Sequence, residues 1–188
     1  MHPSIRRFAL LAFLTFPCIL RAEVQIPQSC RISNRPPGRC GWCAVETLAR
    51  HQKVKVLYGV TESHACRSSP EDLEELLSAN KVLYHIQYPG EQKLAILDTA
   101  LRDGRGAAVG FRELEPGKGP HIVTLIALGK EDAKLIDPND ADCRVRTMTR
   151  ARFLHWWDGF ALTLDAPPKR VAENTPDGPP IASGAHGR

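Results

Sequence analysis

Gly119-Pro120-His121-Ile122-Val123-Thr124-Leu125-Ile126, with Lys134-Leu135-Ile136-Asp137-Pro138-Asn139-Asp140 following it, is the stretch that decides the fold. A histidine opens an apolar strand, and an acid closes the next one, 16 residues later. A turn near Gly129-Lys130 makes the two strands antiparallel and brings their far ends together. In that arrangement Asp137 accepts from one nitrogen of the His121 imidazole while the other faces a nucleophile.

A nucleophile stands upstream, in Gly38-Arg39-Cys40-Gly41-Trp42-Cys43-Ala44-Val45-Glu46-Thr47-Leu48. Pro36-Pro37-Gly38 forbids regular structure, and Cys40 to His51 then reads as a helix. Ala44, Val45, Leu48 and Ala49 are expected on its apolar side, with Glu46, Thr47 and Arg50 on a polar one. A cysteine at a helix start meets free N–H groups and the positive end of the dipole, which favour thiolate over thiol. Ser69-Pro70-Glu71-Asp72 starts another helix: a serine cap, proline at the first position and acids in the first turn. Residues 82–88 alternate like a strand, and 91–102 read as an amphipathic helix. Strands are expected at 107–111, 121–128, 133–136 and 160–164, with a short helix at 149–157 before the last. The order predicts an α+β chain, an N-terminal helical half and a C-terminal antiparallel sheet.

The chain's 188 residues suffice for one domain, 43% of them are hydrophobic, and a net charge of only +4 argues against a nucleic-acid partner. Arg6-Arg7, the apolar run to Leu20 and a cut after Ala22 read as an export signal over residues 1–22, giving a secreted or periplasmic protein. If the signal stays uncleaved it serves as a membrane anchor; once removed, no stable membrane insertion is expected. Residues 166–188 are rich in proline and glycine and read as a disordered tail, which leaves 24–165 as the folded domain. Removing the signal leaves Cys30, Cys40, Cys43, Cys66 and Cys143. That odd number suggests four structural cysteines and one reactive thiol. No cofactor is expected.

Together these elements resemble a papain-like cysteine peptidase, in the bacterial branch that includes the bacteriocin-leader (double-glycine) peptidase domains. The resemblance rests on Cys40-Gly41 opening a helix, His121-Ile122-Val123, Asp137-Pro138, and Phe153-Leu154-His155-Trp156-Trp157-Asp158-Gly159. It covers residues 34–164 and implies a papain-like fold, with the central nucleophile helix packed on the sheet. It further implies a Cys-His-Asp triad that cleaves peptide bonds of a peptide or protein substrate through a thioester. Cleavage in that branch follows two small residues; no transporter domain is read here, so that substrate is not expected to carry over. The branch has Gln six residues before the nucleophile, where this chain has Asn34, one methylene shorter; Gln28 is a second candidate for the oxyanion donor.

The papain-type signature selects Cys43 as the alternative nucleophile, but Trp42 and Ala44 both miss it. Pro37, six residues before Cys43, has nothing to donate. The helix start favours Cys40. Three other readings stay open: a binding module that has lost catalysis, a transglutaminase-like use of the triad, and a thiol–disulfide oxidoreductase built on Cys40-Gly41-Trp42-Cys43.

Overall fold

The computed structural model describes residues 23–35, 37–114 and 119–165. The export signal expected over residues 1–22 and the tail expected over 166–188 lie outside the described residues. Among the described residues, five α-helices, α1 Cys40–Gln52, α2 Val60–Ser63, α3 Pro70–Ala79, α4 Ala95–Arg102 and α5 Arg150–Trp156, accompany six strands. These are β1 Tyr84–Gln87, β2 Ala107–Phe111, β3 His121–Leu128, β4 Asp132–Ile136, β5 Val145–Thr149 and β6 Trp157–Leu164. One sheet of order β1-β6-β2-β3-β4-β5 contains them all, and every pair is antiparallel. The division into a helical half and a sheet half is therefore incomplete, because β1 lies between α3 and α4 in the chain yet forms a sheet edge. Among the described residues no helix is long and apolar enough to cross a membrane.

Helix α1 is the axis of the molecule. Gly38, at φ +102°, makes the turn that precedes it, and Lys53 ends it in the left-handed conformation at φ 62°. Every residue from Gly41 to Ala49 is buried, so the polar face expected for Glu46 and Thr47 is not a solvent face. The sequence pattern misleads here because both polar side chains are satisfied inside. Glu46 accepts from the N–H of Gly59 at 2.9 Å and of Thr61 at 3.0 Å, and from Arg50. Burial pushes its carboxyl pKa up, but those hydrogen bonds outweigh burial and leave it lowered. Thr47 Oγ1 accepts from Ile32 N–H at 3.1 Å.

Helix α3 starts as its sequence demands: Ser69 Oγ accepts from Asp72 N–H, and the Asp72 carboxylate accepts from Ser69 N–H. Helix α4 starts at Ala95 rather than at Glu91. The preceding residues belong to a turn in which Gly90 N–H donates to Asp158 O at 2.8 Å and Gln87 Nε2 to Glu91 O at 2.6 Å. Trp157, expected at the end of the last helix, instead opens β6. It pairs with Phe111 beside a register shift, fully buried, and its indole N–H donates to Phe160 O at 2.8 Å.

Candidate active site

Cys40 is the first residue of α1, and its N–H has no intrahelical acceptor. Asn34 supports that start from the side: its Oδ1 accepts from Arg39 N–H at 2.8 Å, while its own N–H donates to Pro138 O at 2.7 Å. Arg39, itself buried, donates from its guanidinium to Thr61 O at 2.7 Å and to Arg35 O at 2.5 Å. A side chain at Gly41 would have to displace the Ser68 hydroxyl. A Cβ there would lie 2.0 Å from Ser68 Oγ and 3.2 Å from Ile122 Cδ1, the walls that close on the helix beside the sulfur.

Opposite Cys40 stands His121, the first residue of β3, reached through Gly119 at φ +70° and Pro120. Its Nε2 lies 2.7 Å from Asp137 Oδ1, leaving Nδ1 for the thiol of Cys40, to which His121 is hydrogen-bonded. Asp137 follows directly on β4 and is 3% exposed. Its Oδ1 also accepts from Asn139 N–H at 2.8 Å, and its Oδ2 pairs with Arg146 at 3.3 Å. The antiparallel hairpin read from the sequence thus brings His121 and Asp137 together, with its turn tied by Gly129 N–H to Asp132 O at 2.8 Å.

Electrostatics in the site follow from that contact. Burial alone would push the Cys40 thiol up. The hydrogen bond to His121, the charge of its ring and the N–H groups of Ile122 and Gly41 outweigh burial and hold it below the ordinary thiol value. Burial works against a charged His121 too, yet the hydrogen bonds to Asp137 and Cys40 and the charges of both raise it to about 9. For Asp137, burial is again outweighed, by His121, Asn139 N–H and Arg146, and its carboxyl is held below the usual range. All three shifts favour the charged forms, a thiolate, an imidazolium and a carboxylate in a row.

Cys43 sits elsewhere. It is fully buried in the helix interior, hydrogen-bonds toward Thr61, and burial pushes its thiol up to about 12. All five described cysteines are free thiols, so the four structural bridging cysteines expected from the odd count are not present as bridges.

A cavity of about 560 Å³ opens over Cys40, His121 and Asp137 and is also lined by Asn34. The Asn34 amide is fixed at both ends: besides the Oδ1 contact, Nδ2 donates to Asn139 Oδ1 at 2.6 Å. The second Nδ2 proton has no acceptor among the described residues. Gln28 does not share the cavity; it is exposed, and its Nε2 donates to Asp142 O at 2.6 Å. Sequence reasoning did not single out Asn139, Arg146, Ser68 or Asp158, all of which line or support the cavity. Asn139, inside the Asp-Pro-Asn-Asp turn, and Asp158, inside the Trp-Asp-Gly motif, carried a local signal.

A cysteine-bearing helix packed on an antiparallel sheet that carries histidine and aspartate on neighbouring strands is the α+β fold of papain-like peptidases. Among solved structures, the chain is similar to a double-glycine motif protease from an AMS/PCAT transporter, solved in complex with the leader peptide. The TM-score is 0.55 and the identity 12%, over 79% of this chain and 96% of that one. No family model matches the sequence, and no curated protein matches it.

Proposed function

We propose that the chain is a cysteine peptidase acting through Cys40, His121 and Asp137. The observation that carries this reading is the convergence of a helix-start thiol, an imidazole and a buried carboxylate on one cavity. The similarity in fold to a double-glycine motif protease supports it. The Cys40 thiolate attacks the carbonyl carbon of the scissile peptide bond. The oxyanion that forms is held by the N–H of Cys40 and by Asn34 Nδ2. His121, protonated at Nδ1, gives that proton to the leaving amine, leaving a thioester on Cys40. It then takes a proton from water, which attacks the thioester and frees the thiolate, while Asp137 fixes the ring through Nε2. An extended peptide is the substrate class this cleft suits, and the reading of residues 1–22 as an export signal supports an activity outside the cytoplasm.

An oxidoreductase needs Cys40 and Cys43 to exchange electrons with a partner disulfide and makes no demand for His121 and Asp137. Their placement against Cys40 favours the peptidase. The test is hydrolysis of a quenched-fluorescent peptide library by the wild type, Cys40→Ala and His121→Ala. Loss of cleavage in both variants, by a factor of up to about 10⁶ in rate, is the expected result. Cleavage that survives Cys40→Ala would overturn the assignment.

A further inference from the structure

Asp158 is an acid in the same cavity for which the proposed chemistry has no use. It lies at the start of β6, between the fully buried Trp157 and Gly159, whose φ of +102° and lack of a Cβ let the chain pass against Glu91 O, from which a Cβ would lie only 2.3 Å away. Gly90 N–H donates to its backbone oxygen at 2.8 Å, and Gln87 Nε2 donates to Gly159 O at 2.7 Å, so the segment is held from both sides. Its side chain is equally placed. Oδ1 accepts from Phe160 N–H at 2.7 Å, and the carboxylate occupies the space over Gly110, where a Cβ would lie 2.7 and 2.8 Å from its two oxygens. Among the described residues no cation forms an ion pair with the carboxylate: its remaining support is its own backbone N–H and the charge of Arg112 acting through space. Burial raises the Asp158 pKa, the reverse of what happens to the partnered Asp137. A carboxylate kept half-buried beside a cleft without a contacting cation costs stability that a cation entering the cleft would recover.

We propose that Asp158 is a specificity determinant of the cleft, recognising the cationic side chain of a lysine or arginine in the bound peptide. β6 stands two strands from β3, so the carboxylate is about 10 Å across the sheet from His121, and an extended peptide advances about 3.3 Å per residue. The cation it reads therefore belongs to a residue within about three of the scissile bond. The inference rests on the peptidase reading for its biological meaning, but binding tests it without hydrolysis.

The experiment uses the full chain with Cys40→Ala, which binds without turnover, and short fluorescent peptides of alanine and glycine. A single lysine, arginine, norleucine or glutamate is walked through the positions, each peptide with a free and with an acetylated N-terminus. Lysine and arginine at one position should bind about tenfold more tightly than norleucine, the size of one charge-assisted contact, and glutamate should bind worst. Adding Asp158→Asn, which keeps an acceptor for Phe160 N–H, should bring lysine to within about twofold of norleucine and leave norleucine unchanged. Equal binding of lysine and norleucine at every position, or a preference that survives Asp158→Asn, would overturn the proposal. So would a preference confined to free N-termini, which would assign the carboxylate to an α-ammonium group. If wild type cleaves no peptide while the binding preference and its loss hold, the peptidase reading fails and the Asp158 assignment stands.

Discussion

Asp137→Asn separates a carboxylate that tunes the imidazole from one that merely fills space. In the wild type Oδ1 accepts from both His121 Nε2 and Asn139 N–H, and Oδ2 faces Arg146 at 3.3 Å. Asparagine keeps one oxygen for the first two partners but turns an N–H₂ group toward the guanidinium, and it removes the charge. Both His121 and Asp137 are nearly buried, so little solvent screens the loss. One charge-assisted hydrogen bond is worth about 1.5–3 kcal/mol, which is about one to two pK units. The pKa of His121, raised to about 9 in the folded protein, should therefore fall to about 7–8 in the variant. The sign is fixed by linkage. A histidine raised from 6.5 to about 9 stabilises the fold fully below 6.5 and loses that contribution as pH climbs through about 9. The assay is the rate of Cys40 alkylation, and of peptide cleavage, against pH. In the wild type cleavage should rise as Cys40 ionises, below the ordinary thiol range, and fall as His121 deprotonates near 9. Asp137→Asn should move the falling limb down by one to two units and the rising limb up. Superimposable profiles for the two proteins would refute the electrostatic role of Asp137.

Asn34→Ala should lower kcat by about 10²–10³ with little change in KM, because the amide serves the oxyanion rather than the bound substrate; steady-state kinetics on any cleaved peptide decides it. Gly159→Ala should cost about 3 kcal/mol or more in urea unfolding, since positive φ is strained for alanine and its Cβ would lie 2.3 Å from Glu91 O and 2.9 Å from Gly90 N. A loss under about 1 kcal/mol would mean that the 90–91 turn yields easily.

The parts of the site legible in the sequence are those set by local chemistry. Pro36-Pro37-Gly38 forces a break, so the helix and its dipole begin at Cys40. A histidine, a turn and an Asp-Pro at hairpin spacing force His121 against Asp137. What stayed hidden depends on contacts distant in sequence. Strand β5 was unreadable because Val-Arg-Thr-Met-Thr is an edge strand with mostly exposed side chains, so no apolar alternation marks it. Arg146, which it brings to Asp137, was missed with it. Glu46 looked like a surface residue because the groups that satisfy it, Gly59 and Thr61, come from a separate segment. Asp158 stood inside a recognised Trp-Asp-Gly motif, but its meaning depends on Gly110 of β2, the adjacent strand in the sheet though distant in sequence, which leaves room for its carboxylate.

The central claim is that His121 keeps Cys40 as a thiolate, and its most direct measurement is which cysteine reacts first. The protein is treated with limiting iodoacetamide at about pH 6, below the ordinary thiol range, and the adduct is located by peptide mass. The account predicts carbamidomethyl on Cys40 ahead of the more exposed Cys66, with the rate on Cys40 falling to that of Cys66 in His121→Ala. Labelling of Cys66 or Cys43 first, with Cys40 unmodified, would contradict it.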